Sequence, residues 1–138
     1  KRLQGFVQGL EGLGLSLADQ ILYEGNSGFG TGREMTQAVL DRTPDVDFLY
    51  FNTDINAAGG LLYCLEKQLS IPDDIGLAGF NSFDVLEGLP MRIATMDSRR
   101  KEIGARAAEI IASNELSNET VSFDPKFLPG DTVRQNPA

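Results

Sequence analysis

Polar side chains able to grip a small molecule collect where apolar runs give way to loops: Gly25 to Gly30, Asn52-Thr53-Asp54, Asn81-Ser82 and Asp97. Amides and hydroxyls at such places suit hydrogen bonding to a polar ligand and do not break bonds by themselves. The 138 residues include no histidine and one cysteine, Cys64. That removes Ser-His-Asp and Cys-His machinery and any histidine-held metal. No nucleophile–base pair stands out, so no catalytic residue is assigned, and neither a metal nor a cofactor is expected.

Each candidate also has a plain structural reading. Asp54 opens a helix and complements its dipole, while Asn81-Ser82 serves as a turn first and a ligand contact second. Gly28-Phe29-Gly30-Thr31-Gly32 invites a phosphate-loop reading, but Arg33 stands where the dinucleotide fingerprint wants glycine, and no Gly-Lys-Ser/Thr follows. It reads as a flexible strand-to-helix connection. Cys64, among Leu61, Leu62 and Leu65, reads as a small buried apolar residue. Asn118-Glu119-Thr120 matches a glycosylation acceptor by chance, since no secretion signal precedes it.

The elements that must position these residues follow from periodicity. Leu3, Phe6, Val7, Leu10 and Leu13 recur at helical spacing, with no capping residue ahead of Arg2, as expected of a piece of a longer chain. Ile21-Leu22-Tyr23 predicts a short strand and Arg33 to Arg42 a helix. Asp47 to Asn52 is a strand apolar enough to be covered on both faces. Asp54 to Gln68 predicts a helix, Ile75 to Phe80 a strand, Asn81 to Met91 a loop and Arg92 to Met96 another strand. A helix runs from Ser98 to about Asn114, and short strands follow in Val121–Leu128 and Thr132–Arg134. This alternation predicts an α/β fold with a doubly wound parallel sheet. In such sheets ligands sit outside the carboxyl ends of the strands, where the four polar clusters fall.

Composition narrows the partners. Hydrophobic residues make up 41% of the chain and charged ones 23%, enough apolar material for a core without disulfides. Lys+Arg 12 against Asp+Glu 20 leaves a net charge of −8, so duplex DNA is repelled and this chain alone is a poor nucleic-acid binder. No apolar run reaches the ~20 residues of a membrane span. A lone cysteine forms no internal disulfide, which points to a reducing, cytoplasmic compartment.

Taken together, Arg2-x-x-Gly5-Phe6, Gly32-Arg33-Glu34-Met35, Pro44-Asp45-Val46-Asp47, Asn52-Thr53-Asp54-x-x-Ala57-x-Gly59, Ile71-Pro72-Asp73-Asp74-Ile75 and Gly79-Phe80-Asn81 resemble the LacI/GalR family of bacterial transcription regulators. The resemblance is to its effector-binding region, which has the type I periplasmic-binding-protein fold, and Ser27-Gly28-Phe29 with Gly32-Arg33-Glu34 is most similar to the gluconate-utilisation repressor branch. It implies a C-terminal lobe in residues 1–95 and a crossing segment and helix of the N-terminal lobe in 96–119. Residues 120–138 then return to the C-terminal lobe, and the DNA-binding headpiece lies outside the chain. It further implies effector contacts at Arg2, Ser27, Phe29, Thr53 and Asn81, and a homodimer surface of Ala58, Leu61, Leu62 and Leu89. Asn81 and Thr53 depart from the Asp and Asn common in the family, which turns the expectation from a simple sugar towards a sugar acid or similar metabolite. Operator DNA would be bound only through the headpiece. The alternative is a soluble solute-binding protein of a sugar transporter, which shares the fold.

Overall fold

A computed structural model describes residues 2–113 and 120–135. Its elements in order are α1 (Arg2–Gly12), α2 (Phe29–Arg42), β1 (Phe48–Tyr50), α3 (Asp54–Glu66), β2 (Gly76–Phe80), a 3₁₀ turn (Asp84–Gly88), β3 (Ala94–Asp97), α4 (Arg100–Ser113) and β4 (Lys126–Leu128). Asn114, expected to end the last helix, and Asn118 of the acceptor motif lie outside the described residues.

The sheet runs β1-β2-β3-β4. The first three strands are parallel, with Leu49 opposite Leu77 and Ala78 opposite Ala94. β4 is antiparallel to β3, Met96 facing Phe127, so the sheet is mixed and not purely parallel. Leu49, Leu77 and Ile93 meet Ala57, Ala58, Leu61 and Cys64 of α3 in one core. Leu61 and Leu77 are fully buried, each contributing about 1.5–3 kcal/mol by leaving water. α1 covers the other face of β1, with the Phe6 ring stacked 4.3 Å from that of Tyr50.

Helices α2 and α3 touch backbone to backbone. A Cβ on Gly32 would lie 2.0 Å from the Asn56 carbonyl oxygen, and one on Gly59 would lie 2.1 Å from that of Phe29. This contact recruits the glycine-rich stretch into the helix, so α2 starts at Phe29, four residues earlier than periodicity suggests.

Two expected strands are not formed. Ile21-Leu22-Tyr23 forms no strand, and Leu22 is 77% exposed. A strand persists only beside another, and none adjoins it among the described residues. It is held instead by Asp19, whose carboxylate accepts from Arg42 Nε at 2.9 Å and Nη2 at 2.7 Å. Thr132–Arg134 forms no strand, with Thr132 and Val133 in a bend, yet the Thr132 hydroxyl donates to Leu77 O (2.7 Å) and accepts from Ala94 N–H (3.0 Å).

Candidate functional site

The carboxyl ends of β1, β2 and β3 carry Asn52-Thr53-Asp54, Asn81-Ser82 and Asp97-Ser98. The start of α1 joins them. Arg2 Nη1 donates to Asn52 O at 2.8 Å, its Nη2 lies 3.5 Å from Asn81 Oδ1, and its guanidinium sits 4.3 Å above the Phe80 ring. Among the described residues no carboxylate pairs with Arg2. Its charge is therefore steered by a carbonyl, an amide and a ring face, and remains available to an anion. Beneath it, burial pushes the Tyr50 phenol above its ordinary value, and the Arg2 charge partly opposes this.

The Asn81-Ser82 loop is strained and tightly held. Asn81 has φ 110° and Ser82 φ 56°, values costly for non-glycine residues and characteristic of sites where surrounding bonds dictate the backbone. Asn81 N–H donates to Met96 O (2.9 Å), Phe83 N–H to Asp54 Oδ2 (2.8 Å) and Arg100 Nη2 to Ser82 O (3.0 Å). Arg100 also lies 4.4 Å over the Phe83 ring.

Asp54 is the hidden centre of this arrangement. It is fully buried, and its other oxygen accepts the Thr95 hydroxyl at 2.6 Å. The helix cap is Thr53, whose hydroxyl accepts from Asn56 N–H at 3.4 Å. Asp54 opens α3 with its negative charge in the first turn, as read from sequence, and also ties the strand ends together, while Thr53 supplies the side-chain cap. Asp54-x-Asn56 at the head of a glycine-rich helix was the available signal.

Ser27 and Phe29 flank Gly28, whose N–H donates to Asn56 Oδ1 at 3.0 Å. Ser27 is exposed, and Phe29 is 41% exposed at the start of α2. No hydrogen bond or ring contact ties either to the Arg2–Asn81 cluster among the described residues. Of the four residues expected to form a dimer surface, Ala58 and Leu61 are wholly enclosed in the chain's own core. Leu62 and Leu89 keep part of their surface. Both patterns are apolar, so spacing alone does not separate a core face from an interface.

No group of three acidic, cysteine or histidine side chains could hold a metal among the described residues. No described helix is long and apolar enough to cross a membrane.

The profile described as periplasmic binding proteins and sugar binding domain of LacI family matches residues 1–126. The chain is 28% identical over 132 residues to the HTH-type transcriptional repressor CytR of Escherichia coli K12, covering 96% of this chain and 38% of that protein. It is 26% identical over 125 residues to the HTH-type transcriptional regulator GntR of the same strain, covering 91% and 37%. Among solved structures, a LacI family transcriptional regulator from Silicibacter pomeroyi is 49% identical with a TM-score of 0.87, covering 95% of this chain and 41% of that one. The chain therefore spans about two-fifths of the length of these relatives, and it belongs to the family of periplasmic binding proteins and LacI-type sugar-binding domains.

Proposed function

We propose that this chain is the effector-binding part of a LacI-type transcription regulator, sensing a sugar acid or similar anionic polyol. The observation that carries the reading is Arg2, held over Phe80 and beside Asn52 and Asn81 with no acidic partner among the described residues. A guanidinium so placed suits a carboxylate, and the neutral Asn81 beside it does not repel one. Ser82 and the Asn52 amide add hydrogen-bonding groups for a hydroxylated tail.

In this reading residues 1–95 form one lobe, 96–119 cross to a second lobe and 120–138 return. Arg2, Thr53 and Asn81 meet the effector from the first lobe, Ser27 and Phe29 approach from its rim, and Leu62 and Leu89 contribute to a homodimer. The regulator is cytoplasmic and acts without catalysis, and operator DNA is met by a headpiece outside this chain. The matched relatives carry regulator names, which gives the transporter reading less support.

Calorimetric titration of the longer protein with paired aldonates and aldoses is the test. Aldonates are expected to bind more tightly and to change affinity for operator DNA. Equal binding of each pair would refute the sugar-acid assignment, and no effect of any bound ligand on operator affinity would refute the regulator reading.

A further inference from the structure

The chain carries eight arginines. Six of them pair with a carboxylate, and Arg2 and Arg100 do not among the described residues. Acids are in excess in a chain of net charge −8, yet both unpaired guanidiniums stand on one short loop, Phe80-Asn81-Ser82-Phe83, at the carboxyl end of β2. Arg2 lies 4.3 Å above the Phe80 ring, with its Nη2 3.5 Å from Asn81 Oδ1. Arg100 lies 4.4 Å above the Phe83 ring, and its Nη2 donates to Ser82 O at 3.0 Å. Each guanidinium is laid on a ring and steered by a neutral oxygen, which fixes its direction and leaves its charge uncompensated. The acid in the first turn of α4, Glu102, is taken by Arg99. Ser82 O occupies one Arg100 donor and leaves the others for a ligand.

The two arginines reach the loop from opposite flanks. Arg2 is anchored on the β1 side, through Asn52 O at 2.8 Å, and Arg100 follows β3 as the first residue of α4. β2 lies between β1 and β3, so the flanking strand ends stand two strand spacings apart, about 10 Å. A hydroxylated chain of about six carbons spans that gap, given a charged hydrogen bond of about 2.8 Å at each end. We propose that Arg100 is a second anion-binding residue of this site, and that the effector is a polyol with an anionic group at both ends, one for Arg2 and one for Arg100. A monoanion would shut one guanidinium into the occupied site without a counter-charge, and nothing would offset its desolvation. Ser98, between β3 and Arg100, buries its hydroxyl oxygen with no hydrogen-bond partner among the described residues. A hydroxyl of the polyol would complete it. This inference rests on the effector-binding reading above and narrows it to a diacid or a phosphorylated sugar acid.

The test is calorimetric titration of the longer protein with gluconate and galactonate, the matching aldarates and the matching 6-phosphates. Each dianion keeps the carbon skeleton of its aldonate and adds charge at the far end. At least one dianion is expected to bind about tenfold more tightly than its aldonate, as for one added charge-assisted hydrogen bond. A preference for the aldarate assigns a carboxylate to Arg100, and a preference for the 6-phosphate assigns a phosphate. Arg100→Gln is expected to remove the dianion's advantage, and Arg100→Lys to keep part of it. An Arg100 that only braces the loop would weaken aldonate and dianion alike, and an unchanged ratio in Arg100→Gln overturns the proposal. If that variant impairs folding, salt dependence in the unaltered protein gives the readout. Affinity for the dianion is expected to fall more steeply with added sodium chloride than affinity for the aldonate, and equal slopes overturn the proposal. Dianions that bind no better than aldonates overturn it and leave the sugar-acid reading standing. No binding of any acid overturns both.

Discussion

Thr95 on β3 donates its hydroxyl to the buried Asp54 at the head of α3, over 2.6 Å. The same carboxylate accepts Phe83 N–H from the loop after β2. Replacing Asp54 with Ala strands both donors, and hydrogen bonds to charged groups are each worth about 1.5–3 kcal/mol. Asp54→Ala is expected to lower unfolding free energy by roughly 3 kcal/mol, and Thr95→Val by roughly half that, in urea titrations. A smaller loss for Asp54→Ala than for Thr95→Val would contradict the assigned order.

Gly32→Ala and Gly59→Ala drive a Cβ into the Asn56 and Phe29 carbonyl oxygens. Each is expected to cost roughly 2–3 kcal/mol or more, since backbone cannot step aside as a side chain can. Gly104→Ala in α4 meets nothing within 4 Å and is expected to stabilise its helix by roughly 0.5–1 kcal/mol. Thermal melts read the first two variants, and the helical circular dichroism signal reads Gly104→Ala.

Burial pushes the Cys64 thiol from 9.0 to about 11. The folded state then holds the thiol proton more firmly than the unfolded one. The resulting stability is fully present below pH 9 and is lost as pH rises through 11, by roughly 2–3 kcal/mol in all. At pH 8 the thiol is expected to resist Ellman's reagent until the chain unfolds. Rapid labelling in the native state would mean that Cys64 is not enclosed.

Arg2→Ala in the longer protein is expected to remove most of its preference for an aldonate over the matching aldose. The loss expected is about 1.5–3 kcal/mol of aldonate binding, with the aldose affected less. Arg2→Lys keeps the charge but loses the fork, so it is expected to restore only part of the preference. Competition titrations read both effects.

No residue of α4 is buried, and Ile103 and Ile111 are 45% and 76% exposed. A helix of this length without tertiary support is marginal in water. In residues 1–138 alone its amides are expected to exchange fast, and its apolar stripe to drive association seen in sedimentation. Ile111→Lys is expected to reduce that association without lowering the melting temperature.

What could be read in the sequence was whatever is local or periodic. α3 and β2 were legible because their apolar runs fill a layer enclosed on both sides, and the polar residues after each strand marked the site end of the sheet. Ile21–Tyr23 misled because its strand character depends on a neighbour that composition cannot supply. The direction of β4 was hidden for a related reason: three residues, Lys126–Leu128, carry no signal of which way they pair. Asp54 and Thr53 sit side by side at a helix start, and either could cap; only the position of Thr95, 41 residues on, decides which one turns inward. The Arg2 contact was legible as a residue type at a familiar spacing, while the Phe80 ring beneath it was not.

The glycine seat between α2 and α3 has a consequence for the loop it carries. Two helices that mesh through side chains can slip by a ridge and settle again in a neighbouring register. Here Gly32 rests against Asn56 and Gly59 against Phe29 with only main-chain atoms at the contact, so a side chain at either position would force the helices apart. The close seat sets the spacing of the pair, and Asn56, which holds Gly28 N–H, links it to the loop at Ser27. The height of that rim above the strand ends is fixed by two hydrogen atoms where any other residue would carry carbon.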